Sequence, residues 1–541
     1  LLHCGIAALS TPRLPIFSYA ETHFRFNLPW SPLHKPWPEL FLDAPHQLVP
    51  GKDLTVWLLA KDADLFPARI RSVTLRLSDD HGATATHVFE PSADEGGLRE
   101  SLQYLAFTLP RSALAPFRGL LRITGFIAVE NQKGERRTVE NHNYPGLEPW
   151  PLEVHLLGAP LPYPAGWRAG ELHCHSEFTS DHVEFGAPLA LLQETAAAVG
   201  LDFVLCTDHS YDFPYRRDRY LEPTDAEANF AAYRAQALGL NTARPELPTL
   251  IPGEEISCGN ARGQNVHLLA FGHPAYIPGE GDGGRRGLRN RPDLTIGEVL
   301  ERLGDTPAFA AHPSGHRNLA QRLVLNRGPW RAEDITAARA HRNFAGLQFW
   351  NGSLNREYGD GKALWVHELL RGSRLLPLGA NDAHGDFNIA RGVKVPLISL
   401  RQSRSHVFGR VRTLVPSAGR AHEDLCMAFS ASPDSTGTSG GMTTNPCICT
   451  DGPFAALTRR EDGSIRIRAV STADFGPLVS IVVLGADSGD NAERVLREWT
   501  FDTRGPLALD EAVPSSLLPM DGYARLEVVT QRGRRALTGV V

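Results

Sequence analysis

The sequence predicts an α/β middle section built on a largely parallel sheet, with a β-rich section on each side. Three observations lead there. Short alternating apolar runs dominate up to about Trp167, apolar strands alternate with helical patterns from Glu171 to about Leu400, and strand patterns return after that. Strands alternating with helices imply parallel pairing, whereas runs of strands alone imply stacked antiparallel sheets. A chain of 541 residues also exceeds what one hydrophobic core usually supports.

In the first section, "DLTVWLLAKD", "RIRSVTLRLSDD" and "RGLLRITGFIAVENQ" read as strands separated by turns. A β-sandwich over 1–167 is the expectation, closed by the Pro/Gly linker "GAPLPYPAGWRAG". The middle section, 168–402, opens on "GELHCHSEFTSDH". There "APLALLQETAAAVG" reads as a helix stopped by Gly200, and "LDFVLCTDH" as a buried strand. "TIGEVLERLG" and "KALWVHELLRG" read as helices, and "PAFAAHPSG", "FAGLQFWNG" and "LLPLGANDAHG" as strands running into loops. The last section, 403–541, begins with the flexible linker "SASPDSTGTSGGMTTNP" and continues as a small β domain.

Bulk properties narrow the function classes. A formal net charge of -6 argues against a general nucleic-acid or membrane-surface binder. Seven cysteines in so long a chain do not suggest a disulfide framework, and reduced thiols point to the cytoplasm.

The middle strands end in metal-binding residue types. His173 and His175 point to one side of a strand, because side chains alternate faces. Asp181 follows in the loop. Later strands bring Asp208 and His209, Glu254 and Glu255, His267, His312, and finally Asp382 with His384. Strand ends of a parallel sheet converge over one mouth, where so many imidazoles and carboxylates would be costly to bury without cations.

In order along the chain, H-x-H-S with a downstream S-D, "GLDFVLCTDHS", "PGEEIS", "NVHLLAFG", "AHP" and "NDAHG" resemble the motifs of PHP domains, the polymerase and histidinol phosphatase family of metal-dependent phosphoesterases. "LQFWNG" and the tail "CICTDGPFAAL…YARLEVVT" resemble its carbamate-hydrolase (CehA/McbA-like) branch. The resemblance implies a distorted (β/α)7 barrel, here flanked by the two β sections, with two or three divalent ions (Zn, Mn or Fe). It makes His173, His175, Glu255 and Asp382 the ligands of one ion. Glu255 would bridge to a second ion held by His267 and His312, and Asp181, His209 and His384 would hold a third. His182 departs from the family's S-D-G pattern and puts the third site in question. The G-x-E spacing favours Glu255 over Glu254.

The implied activity is phosphoester hydrolysis by a metal-bridging hydroxide, because coordination lowers the pKa of water. Glu255, Asp382 and His384 would act through that hydroxide, while Ser176 and Cys174 serve in packing. Arg317 and Arg391 could grip an anionic group bidentately, and Asn351 could line the mouth. The basic loop "GGRRGLRNR" could attract such a substrate. The expected partner is a small-molecule ester, phosphorylated, with no stable nucleic-acid partner and no membrane. Hydrolysis of a carbamate or carboxylic ester needs the same centre, and a non-catalytic binding or scaffold protein is the alternative of a different class.

Overall fold

The computed structural model describes residues 37–143, 149–179, 186–281, 290–315, 325–385, 387–388, 392–395, 398–401, 406–430, 443–502 and 504–541. Most of the linker, 431–442, and most of the basic loop, 282–289, lie outside them.

The first section forms two sheets. Glu39–Asp43, Leu54–Lys61 and Leu102–Leu109 make a three-stranded antiparallel sheet. A seven-stranded sheet is centred on Ala68–Asp79 and Gly119–Asn131. The strict alternation of buried and less buried residues along Gly119–Asn131 is that of a strand with one face in a core. This sheet content is compatible with a β-sandwich.

The middle section corrects the expectation of a (β/α)7, TIM-like barrel. The structure is mostly strand, 41%, with 17% helix, in mixed and antiparallel sheets. The strands Trp167–Cys174, Phe203–His209 and Thr249–Gly259 pair in parallel, as do Ala308–Ala311, Phe344–Asn351 and Leu376–Ala380. Between the two sets, Asn265–Phe271 runs antiparallel to both of its neighbours. It forms a hairpin with Thr249–Gly259 and has no helix before it. The turn is fixed by Asn260 Oδ1, which accepts from the amides of Arg262 and Gln264, each at 3.0 Å. On the other side, Arg412–Pro416 pairs antiparallel with Trp167–Cys174 and passes the sheet on to the C-terminal strands. The result is one thirteen-stranded mixed sheet rather than a closed ring of βα units.

Helices cover part of this sheet where their caps place them. Leu189–Val199 ends at Gly200, whose φ of 83° is left-handed. Ile296–Leu303 starts with a capping box in which Thr295 and Glu298 satisfy each other's free amides. One isolated parallel bridge, Cys174 to Ala383, brings the chain beyond Leu376–Ala380 back to the end of Trp167–Cys174. His175 N donates to Ala383 O at 2.8 Å there. The last ligand motif is thereby set beside the first. No helix of the described residues is long and apolar enough to cross a membrane.

Candidate metal centre

Each candidate ligand among the described residues is buried except the partly buried His312, and each lies at the same end of the sheet. His173 closes the strand Trp167–Cys174 and His175 lies just beyond it; His209 closes Phe203–His209. Glu255 faces inward from Thr249–Gly259. His267 sits near the start of its strand rather than the end, because that strand runs the other way. His312 follows Ala308–Ala311, and Asp382 and His384 follow Leu376–Ala380.

Glu255 is the centre of the cluster. Its Oε1 lies 2.5 Å from His267 Nδ1 and 2.9 Å from His312 Nε2. Its Oε2 lies 3.1 Å from both His173 Nε2 and His209 Nδ1, and 3.5 Å from His175 Nε2. Asp382 Oδ1 is 3.3 Å from His173 Nε2 and 3.2 Å from His175 Nε2. His384 stacks on His175 with ring centroids 3.7 Å apart.

Three overlapping groups have donor atoms close enough to hold a metal ion: His173, His175, Glu255 and Asp382; His209, Glu255 and His267; and His175, His209 and His384. The first matches the sequence-derived set. In the second, His209 stands where His312 was expected, although His312 also touches Glu255. The third contains His209 and His384, with His175 beside them. Asp181, Arg317 and Arg391 lie outside the described residues, as does His182. Asn351 is placed at the cluster, its Nδ2 3.4 Å from Asp382 Oδ2.

The donor set fits divalent transition metals, since imidazole nitrogen and carboxylate oxygen are their ordinary ligands. His173 Nε2 and Glu255 Oε2 are buried and lie 3.1 Å apart, a charged contact that a cation between them could take up. Burial alone would lower the pKa of His173, but the Glu255 and Asp382 carboxylates outweigh it and push it up to about 9. Burial likewise opposes ionisation of Glu255 and Asp382, yet the surrounding histidines hold both well below the usual carboxylate range. Cation density is what the site favours.

Two candidate ligands sit on strained backbone: His312 has φ of 28° and Asp382 of 53°. Such conformations cost on the order of 1–3 kcal/mol each and persist where the surroundings fix them. Gln348 fixes one, its Oε1 accepting from His312 N at 3.0 Å while lying 3.2 Å from His173 Nδ1. Glu171 fixes the other side. Its Oε1 accepts from His173 N at 3.2 Å and Asn381 N at 3.0 Å, and its Oε2 from Gly409 N at 2.8 Å and from the Asn381 side chain. Burial raises the Glu171 pKa to about 7 against these bonds. Sequence reasoning missed both residues. The one available signal was a charged residue inside the apolar strand "AGELHC".

Ser176 donates to Asp208 Oδ2 at 2.7 Å, and Asp208 Oδ1 accepts from the amides of Ser176 and Thr179, so both side chains are spent holding the turn after His175. Cys174 is buried, its thiol 3.5 Å from Leu205 O.

No protein-family model matches the chain, and no curated protein matches it. Among solved structures it has a weak likeness to trypsin-activated alpha-2-macroglobulin from Escherichia coli, at 10% identity and a TM-score of 0.14, covering 97% of this chain and 24% of that one. The chain thus spans about a quarter of the length of that protein. At that score the likeness bears on neither fold nor function.

Proposed function

We propose that this protein is a metal-dependent hydrolase of small-molecule esters, with phosphoesters the leading substrate class. The observation that carries the reading is the division of Glu255: one oxygen faces His267 and His312, the other faces His173, His175 and His209. A carboxylate so divided is the arrangement that lets one side chain serve two cations.

His173, His175, Glu255 and Asp382 would hold one ion, and Glu255, His267 and His209 a second, with His312 beside it. His175, His209 and His384 are the candidates for a third. Zinc, manganese and iron suit this mixed imidazole and carboxylate set. When bound, such ions supply Lewis acidity and an activated water at neutral pH. The chain's own part is positioning. Asn351 directs its amide at Asp382 Oδ2, Tyr211 stacks on the His209 ring at 4.5 Å, and Gln348 and Glu171 hold the backbone of the ligand segments. Carbamate and carboxylic ester hydrolysis would draw on the same residues.

The test is a hydrolase screen over phosphoesters, carbamates and carboxylic esters, with metal content measured on the same protein. Activity should disappear on chelation and return with zinc, manganese or iron. Activity that survives complete metal removal, or a protein that binds none of these ions, would overturn the reading.

A further inference from the structure

A cleft of about 660 Å3 lies where the three sections of the chain meet; no candidate metal ligand among the described residues lines it, although Trp350 and Gly352, on either side of Asn351, do. His46 and His155 reach it from the N-terminal sheets, Arg410 from the segment before Arg412–Pro416, and Arg532 and Arg534 from the turn between the last two strands. Acidic residues also line it, and Asp474 and Asp451 are engaged. Asp474 accepts from Gly158 N at 3.1 Å and Ala159 N at 3.3 Å. Asp451 accepts from Arg535 N at 2.6 Å and pairs with Arg534 at 3.5 Å. Glu153 lies 3.9 Å from Arg122.

The arginines are less completely matched. Arg410 makes no ion pair or side-chain hydrogen bond with a described residue; Asp451 attracts it only at longer range. Arg532 bonds one backbone carbonyl, Asp474 O, at 3.1 Å. His46 Nδ1 is buried with no hydrogen-bond partner among the described residues. The positive field registers on the neighbours: burial first, then Arg412, Arg410 and Arg534, depress the His46 pKa, and burial with Arg534 does the same to His155.

We propose that this cleft is a second binding site, for a small molecule bearing an oxyanion of the phosphate class, gripped by Arg410 and Arg532 with Arg534 held in place by Asp451. Guanidinium forks suit such groups because they offer paired donors in one plane. An anion there would also relieve the mutual repulsion of Arg410 and Arg534. The cavity has the size of ordinary small-ligand sites. The proposal is independent of the metal centre.

It can be tested on the full chain stripped of metal, titrated calorimetrically with inorganic phosphate at low salt. Wild type should bind phosphate, and Arg410→Gln with Arg532→Gln should weaken binding by about tenfold or more. Arg410→Gln alone breaks no ion pair or side-chain hydrogen bond to a described residue, so it serves as the second variant and should weaken binding in the same direction. His173→Ala with His175→Ala should leave phosphate binding unchanged. Absence of phosphate binding by wild type, binding that survives both arginine substitutions, or binding lost in a histidine variant whose circular dichroism matches wild type would each overturn the proposal.

Discussion

Glu254 and Glu255 are neighbours on one strand, chemically identical, and live in opposite electrostatic worlds. Glu255 faces His173, His175, His209, His267 and His312 and is held ionised far below the usual carboxylate range. Glu254 points through the sheet to the other face, where its Oε2 accepts from Ile277 N at 3.0 Å and lies 3.3 Å from His273 Nε2. Burial there, with little to offset it, pushes its pKa well up. The difference teaches that strand alternation, not residue type, decides which acid joins the candidate metal cluster. One side of the sheet gathers enough imidazoles to stabilise an anion, and on the other burial disfavours the charged form of Glu254.

The sharpest way to break the comparison is to neutralise each glutamate in turn. Glu255→Gln should lower turnover by orders of magnitude, about 100-fold or more, and reduce bound metal, because an amide cannot serve two cations. Glu254→Gln should keep metal content and turnover within about threefold of wild type, since Glu254 points away from the cluster and an amide matches its size and can still accept from Ile277 N. Equal losses in the two variants, read by elemental analysis and initial rates, would dissolve the distinction between the faces.

Next in size is the pair His173→Ala with His175→Ala. It should empty the first ligand group of its imidazoles and abolish metal-dependent activity, while circular dichroism of the β sections stays unchanged. Global unfolding would instead make the two histidines structural.

A smaller effect is expected from Glu171→Gln. Glu171 touches no proposed substrate but accepts from His173 N and Asn381 N, so it positions ligands from both ends of the described cluster. Weakening such support typically costs about 10–100-fold in metal affinity. The readout that separates positioning from mere stability is rescue: excess metal should restore turnover in Glu171→Gln. A rate that stays low at saturating metal would assign Glu171 some other role.

How much of this was legible beforehand follows the same physics. The ligand types were legible because strand ends carry side chains to one mouth, and His173, His175, Glu255 and Asp382 do converge. The surrounding architecture was not. Asn265–Phe271 is buried on both faces, and a fully buried run looks the same whichever way it pairs, so the hairpin with Thr249–Gly259 read as another parallel strand. The sheet's continuation through Arg412–Pro416 into the last section depends on pairings between residues far apart in sequence, which no local pattern encodes. Those two facts replaced a barrel with one mixed thirteen-stranded sheet. Gln348 and Glu171 escaped notice for a related reason: a buried polar residue announces itself only through partners contributed by other strands.

The smallest effect belongs to the far face and reads in stability rather than turnover. His273 is buried against Phe230, ring centroids 5.1 Å apart, and its Nδ1 lies 2.7 Å from Ala275 O. Burial is the main cause that lowers its pKa from 6.5 to about 4; the bond to Ala275 opposes this, and Arg234 adds to it. Between those two values the unfolded chain binds a proton that the folded chain refuses. Stability from this group is therefore full above about pH 6.5 and falls as pH drops toward 4, by roughly 1.4 kcal/mol per unit inside that window. His273→Asn keeps a side-chain N–H for Ala275 O and removes the titration. Glu254 is present in both proteins, as is the metal centre, so their contributions cancel in the difference to first order. Denaturant unfolding of the two from pH 7.5 down to 4.5 should show wild type losing stability faster than the variant, with the gap opening only below about pH 6.5. Parallel profiles across that range would mean that His273 takes up its proton as readily in the fold as in the unfolded chain. The far face would then carry an ion pair with Glu254, and the contrast between the two glutamates would lose its basis.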